Sequence, residues 1–325
     1  MSPRATIGAM LRLSEIRAVQ ASVDEDWRSP VADAAAAEWT LPPGAARWWR
    51  SSATHVFVVP GPPRRYLRFA PTGSPAAVRL HVGAGLAAAF PAGADLIVSS
   101  PVPTASGTRT PTVDTPVGPM VAMLVEEAAG ESLDADSLTR EQAHRWGAAL
   151  AGFHEVAPSV DAERRPLDTA EPGLSVALTD IEARLAALDP RTHRRVTVHG
   201  DFELDNLRFD GNRVSVFDLD ETHSGWAAED VALATRELRG EEGAPPRPRL
   251  FDAFLAGYRS VAPFSEAELD AVRLHAVAHS ARRATDRETL DEGADPNDPD
   301  WQRDLHVAIA GANAWHRQAV LSRHP

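Results

Sequence analysis

The segment VTVHGDFELDNLRFDGNRVSVFDLDET, from Val196 to Thr222, constrains this chain more than any other stretch. Its 27 residues hold seven carboxylates, two Asn and one His, set between apolar runs with strand character. The polar residues fall into two tight groups, His199 to Asn206 and Asp218 to Glu221. Between them Asp210-Gly211-Asn212 is a turn signal flanked by alternating runs, which predicts a hairpin. That hairpin would bring Asp218 back beside Asp201 and Asn206. Scattered surface charge has no need of such spacing. A cluster of carboxylate and amide oxygens suits Mg2+, which prefers hard oxygen donors together with phosphate. A carboxylate kept off the metal can accept a proton from an attacking hydroxyl.

At 325 residues the chain is long enough for two lobes, each with its own core. It is 43% hydrophobic and 24% charged, as expected of a globular protein. No apolar run reaches the roughly 18 residues of a membrane span. The leading MSPRATIGAMLRLSEIRAVQ has no apolar core before a small-residue cleavage site, so no secretory signal is expected. With no Cys, disulfides and thiolate metal sites are excluded. A cytoplasmic location is the expectation. The net charge of −13 argues against binding nucleic-acid phosphates and suits a cationic partner. All 33 basic residues are Arg, so any chemistry that needs a lysine amine must use Arg instead.

Along the chain, residues 1–38 read as helical and Ala-rich up to the breaker LPPG at 41–44. THVFVV (54–59) and RYLRFA (65–70), joined by PGPP, predict a hairpin. SPAAVRLHVGAGLAAAF (74–90) has helical spacing behind a Ser cap and a first-turn Pro. DLIVSSPVPT and VGPMVAMLVEE add strands, making 40–125 a small sheet-rich region with one helix. LTREQAHRWGAALAGFHEV (138–156) is an amphipathic helix capped by Thr139, with Leu150 and Phe153 on one stripe. Helical patterns return at 174–188, 247–290 and 301–322.

His199-Gly200-Asp201, Asn206 and Asp218-Leu219-Asp220 resemble the HGDxxxxN…DxD pattern of the aminoglycoside phosphotransferase and choline kinase-like family. LAGFH (150–154), GWAAEDVAL (225–233) and AGYR (256–259) resemble further elements of that family, in order, so that the likeness spans about 45–260. The resemblance implies an α+β, protein-kinase-like fold of two lobes. Residues 1–125 would form an N-terminal helical segment and an antiparallel-sheet lobe; 126–325 would form a mainly helical lobe with the catalytic loop and acceptor site. It implies phosphoryl transfer from ATP or GTP, with Mg2+, to a small-molecule hydroxyl on an aminoglycoside, an amino alcohol or a homoserine-like metabolite. Nucleic-acid and membrane partners are not expected. By the same resemblance Asp201 is the catalytic base, Asn206 and Asp218 hold the metal, and Asp220 supports a second metal or the acceptor. His199 orients the loop, and Asp230 anchors it through backbone hydrogen bonds.

The small lobe departs from the family pattern. With no Lys on the third strand, Arg68 is the candidate for the α- and β-phosphates, and the 74–90 helix offers no acid to pair with it. Ser51 and Ser52, in RSSAT (50–54), stand where a Gly-rich turn would cover phosphate. Val125 to Glu127, in MLVEEAAGESL, would meet adenine through the backbone. These departures leave a second reading, a catalytically silent nucleotide-binding module. Glu203 and Asp205 read as solvated loop charges, and His275 and His279 as ordinary helix residues rather than metal ligands. Trp48 and Trp49 read as packing residues, and the acidic run 286–304 as a solvated loop or an acidic rim.

Overall fold

The structure, a computed structural model, describes residues 11–93, 95–162, 172–241, 245–286 and 298–322. The chain opens with α1 (Leu13–Gln20), α2 (Pro30–Ala36), β1 (Arg47–Ser51), β2 (His55–Val59) and β3 (Arg65–Pro71). Next come α3 (Pro75–Ala89), β4 (Leu96–Val98), β5 (Thr112–Thr115) and β6 (Gly118–Glu126). They are followed by α4 (Arg140–Val156), α5 (Pro172–Ala186), β7 (Arg195–Val198), β8 (Leu207–Asp210), β9 (Arg213–Val216) and β10 (His223–Trp226). The last helices are α6 (Ala227–Ala234), α7 (Pro248–Val261), α8 (Glu266–Asp286) and α9 (Asp300–Leu321). The fold is mixed α+β. No helix among the described residues is long and apolar enough to cross a membrane.

Two compact units divide the chain. One comprises Met1–Ala88, Ser99–Glu127 and Asp286–Val307; the other Ala89–Val98, Ala128–Thr285 and Ala308–Pro325. The first is built on an antiparallel five-stranded sheet in the order β1-β2-β3-β6-β5. Strand side chains alternate between faces, and the face carrying Phe57, Leu67, Phe69 and Leu124 packs on Val19, Val31 and Ala35 of α1 and α2. The expected continuous helix through residue 38 is instead two short ones, and residues 1–10 lie outside the described set. Ser29 caps α2 by accepting from the Val31 amide, with Pro30 in the first turn, so the chain restarts a helix there. Two strands, β1 and β5, were not legible in the alternation. Both lie at sheet edges, where only one neighbour enforces a buried face.

The second unit is mainly helical. β4, expected to extend the first sheet, pairs in parallel with β9, and β9 pairs with β8 as the predicted hairpin, Asp210 opposite Arg213. β7 pairs with β10. α4 starts in a capping box between Thr139 and Gln142, and Leu150 and Phe153 are fully buried as its stripe predicts. Helices α4 and α7 approach through two glycines. A Cβ at Gly147 would lie 1.9 Å from the Phe254 carbonyl oxygen, and one at Gly257 1.8 Å from that of His144. Leu174 and Ile181 of α5, Val277 and Ala281 of α8 and Val320 of α9 form a separate core cluster.

Candidate active site

Strand β7 delivers the chain to His199 in a buried position, and Gly200 turns it at φ +82°. Only glycine fits there. A Cβ would stand 2.5 Å from the Glu221 carbonyl oxygen, because this turn runs against the short 3-10 segment Leu219–Glu221. The close approach is what holds the two polar groups of the opening motif together.

The loop is tied down by Asp230 at the start of α6. Its carboxylate accepts from the His199 amide at 2.7 Å, the Gly200 amide at 3.0 Å and His154 Nε2 at 3.0 Å. Burial raises the cost of its charge, but the hydrogen bonds from His154 and from the His199 amide outweigh that and hold its pKa below the ordinary range. Tyr258 accepts from Arg194 at 2.6 Å and lies 2.7 Å from His154 Nδ1. Having accepted from a guanidinium, the phenol donates to Nδ1, which leaves Nε2–H to face Asp230. Trp146 of α4 adds a third support, its indole N–H donating to the Phe202 carbonyl at 3.0 Å.

Asn206 and Asp201 meet directly. The Asn206 amide nitrogen donates to the Asp201 carboxylate at 2.8 Å and to its backbone carbonyl at 3.0 Å. Both amide hydrogens are thereby used, and the amide oxygen is left as the donor for a cation. Asp218 returns beside this pair as the hairpin predicts, since the Phe217 amide donates to the Asn206 carbonyl at 3.2 Å. Asp218 itself adopts the left-handed conformation, φ 63°, ψ 65°, rare for a residue with a side chain. Burial first, then the neighbouring Asp218 charge, pushes the Asp201 pKa up; Arg236, His199 and Arg283 oppose the rise. His199 is kept neutral by burial, which lowers its pKa, and its Nδ1 accepts from the Asp201 amide at 3.2 Å. The donor set of Asn206 and Asp218 is hard and oxygen-based, which fits a divalent cation of the Mg2+ kind. No group of three or more His, Asp or Glu side chains able to hold a metal forms among the described residues. Asp220 is buried just beyond, in the 3-10 segment.

Glu203 is not a solvated charge. It forms a 2.6 Å ion pair with Arg236, both side chains largely buried, and burial pushes its pKa well up against the pull of Arg236. Asp205 is exposed, as expected. Arg236 and Arg283, both near nine-tenths buried, are site-flanking residues that the sequence did not single out. Nothing in their local spacing marks them, because they reach the loop from α8 and from the turn after α6.

In the other unit Arg68 is buried rather than solvated, and its Nε lies 3.4 Å from the Thr54 hydroxyl. The strand register places it opposite Val56 and Met123, on the face away from α1 and α2. Ser51 falls on the other face. It pairs with His55, which pairs with Phe69, and its hydroxyl lies 2.9 Å from His55 Nδ1. The Ser52 amide and carbonyl are committed to Thr54 and Leu11. Val125 is opposite Tyr66, so its side chain shares the face of Arg68. The Glu127 amide donates to the Arg64 carbonyl, and its carboxylate is held by Arg64 and Tyr66. Trp48 stacks on Trp27 at 5.6 Å, while Trp49 is exposed. Most of the acidic run, residues 287–297, lies outside the described residues; Asp298 is buried and paired with Arg17.

A family model described as the phosphotransferase enzyme family (APH) matches residues 47–264. The chain belongs to this family. The match takes in the sheet, the loop at Asp201 and the α7 segment that carries Tyr258. Among curated proteins, an uncharacterised protein of Deinococcus radiodurans is 32% identical over 213 residues, 58% of this chain and 61% of its own length. The chain thus spans about three-fifths of the length of that relative. Among solved structures, an amicoumacin kinase in complex with AMP-PNP, Ca2+ and Ami aligns with a TM-score of 0.72 at 15% identity, over 95% of this chain and 96% of that one. A microcompartment-associated aminopropanol kinase aligns with a TM-score of 0.61 at 18% identity, over 90% and 96% of the two chains. At such identities these likenesses speak for the phosphotransferase fold.

Proposed function

We propose that this phosphotransferase moves the terminal phosphoryl group of ATP or GTP onto a hydroxyl of a small molecule. The observation that carries the reading is the Asp201–Asn206 pair. One hydrogen-bonded unit presents a half-buried carboxylate and an amide whose nitrogen is used and whose oxygen can take a cation, on a loop clamped by Asp230. In this reading Asp201 orients the acceptor hydroxyl and takes its proton. The acceptor oxygen bonds to the γ-phosphorus as the bond to the β–γ bridging oxygen breaks, and the nucleoside diphosphate leaves. Asn206 and Asp218 hold a divalent cation, with Asp220 behind them; Mg2+ there would neutralise charge on the phosphate oxygens. Arg68 supplies the cation for the α- and β-phosphates, and Val125 and Glu127 border the base; Ser51, on the opposite face of the sheet and bonded to His55, takes no part. The amicoumacin kinase complex with AMP-PNP and Ca2+, and the aminopropanol kinase, support a nucleotide, a divalent ion and a small alcohol acceptor.

The acid-free α3 helix favours a second reading, a module that binds nucleotide without transferring phosphate. A thermal-shift screen of ATP, GTP and AMP-PNP with and without Mg2+, followed by ADP or GDP release across a panel of alcohols, separates the two. Metal-dependent nucleotide binding with acceptor-dependent release supports transfer. Binding with no release from any acceptor supports the silent module, and no nucleotide binding removes both.

A further inference from the structure

Arg283 stands apart from the other buried arginines. Only 9% of it is exposed, yet its one hydrogen bond runs from Nε to His279 Nε2 at 3.3 Å, within its own helix α8. Its two terminal amino groups take no hydrogen bond and no ion pair among the described residues, and neither is sealed from solvent. Arg236 and Arg194, by contrast, are matched to Glu203, and to Glu155 and Glu268. A largely buried guanidinium with open N–H donors and no close ion pair is costly, and such a group calls for a partner that completes its hydrogen bonds. The charge of Arg283 also acts on Asp201 and Glu203 of the loop. Burial and the repulsion of Arg236 push its own pKa down, whereas Arg194 beside Tyr258, Glu155 and Glu268 goes the other way.

We infer that the unfilled guanidinium of Arg283 is an anion subsite for the acceptor, so that the molecule phosphorylated is an alcohol carrying a carboxylate. The substrate class rests on the phosphotransferase reading above; the anion site itself does not. A planar carboxylate matches the two parallel N–H groups that Arg283 has open. A dianionic phosphate ester fits less well, because Asp201, Glu203 and Glu221 all act on this position and repel a second negative charge. Fixing the carboxylate on α8 would leave the hydroxyl end to reach Asp201. This adds to the expectation of a cationic acceptor a requirement of opposite sign, which an amino acid bearing a hydroxyl meets.

The test uses the full chain and its Arg283→Met and Arg283→Lys variants. The probes are a panel of short hydroxy acids, 3-hydroxybutyrate and serine among them, each beside its neutral amide. Binding is read by calorimetry and thermal shift without nucleotide. The parent should bind acids over amides, Arg283→Met should lose about 10- to 100-fold of that preference, and Arg283→Lys should keep part of it. No acid preference in the parent across the panel overturns the inference, and so does a preference unchanged in Arg283→Met. Should Arg283→Met melt far below the parent, Arg283→Lys decides: a preference undiminished without the bidentate fork overturns the inference, and a reduced one supports it. ADP release on the same pairs then separates the two claims. Arg283-dependent acid binding with no release from any alcohol keeps the anion site and removes the kinase; release that favours amides keeps the kinase and removes the site.

Discussion

His154 on α4 and Asp230 on α6 meet at 3.0 Å with neither side chain exposed, 76 residues apart in the chain. Asp230 thereby joins α4, through His154, to Tyr258 on α7, and holds the loop that carries Asp201 through two amides.

Asp230→Ala removes the acceptor of all three of those bonds and leaves buried donors unmet. It should cost about 3–5 kcal/mol in urea unfolding, with Asp230→Asn losing less because it keeps one acceptor oxygen. Because the folded pKa of Asp230 is lowered, this stability is present above the ordinary carboxylate range and is lost as pH falls through the folded value. A variant as stable as the parent at pH 7 would remove the clamp from the account.

His55 lies in the core of the sheet unit, and burial lowers its pKa to about 4. Its neutral form is the folded form, so the stability it contributes is full above the unfolded pKa near 6.5 and falls as pH drops from there toward 4. Between pH 7 and pH 5 the chain should lose about 2 kcal/mol through this residue. Urea midpoints at several pH values, for the parent and for His55→Phe, check it: the variant's profile should be flatter over that window.

Gly257→Ala should be far more damaging than an exposed Gly→Ala change. The added methyl meets the His144 carbonyl 1.8 Å away, and backbone cannot swing aside as a side chain does. A loss of about 3 kcal/mol or more is expected, whereas Gly152→Ala on α4, with open space around it, should be neutral or stabilising. Equal melting temperatures for the two would contradict the packing of α4 on α7.

Asp218→Ala should abolish Mg2+-dependent nucleotide turnover while the protein stays folded, because it deletes a proposed metal ligand. Asp201→Asn should keep nucleotide affinity and lose about 10²- to 10⁴-fold in transfer. Should Asp201→Asn lose nucleotide binding and Asp218→Ala lose only transfer, the two roles are reversed.

Arg68→Ala should raise the nucleotide KM and lower kcat together, since positioned phosphates matter in the ground and transition states alike. Arg68→Lys should retain activity if its shorter amine still reaches the phosphates. Parent-like kinetics for Arg68→Ala would leave it a buried strand residue and nothing more.

Much of the candidate site's geometry was legible because its parts are close in sequence. The turn at Gly211, the alternation of β8 and β9 and the five-residue step from Asp201 to Asn206 are short-range, and hairpin geometry brings them together. Composition likewise determined, before any fold, that Arg must serve wherever a cation is needed. Other features had no local signal. Glu203 looks like any loop acid until Arg236 closes on it, and Ser51 looks like a partner of Arg68 until strand register sends them to opposite faces. Arg283 is one more charge on an Arg-rich helix until packing buries it. Periodicity and turn chemistry act over a few residues, so the sequence by itself determined the elements and the motif. Burial and ion pairing depend on which distant segments meet, and for Asp230, Glu203 and Arg283 only the tertiary structure decided that.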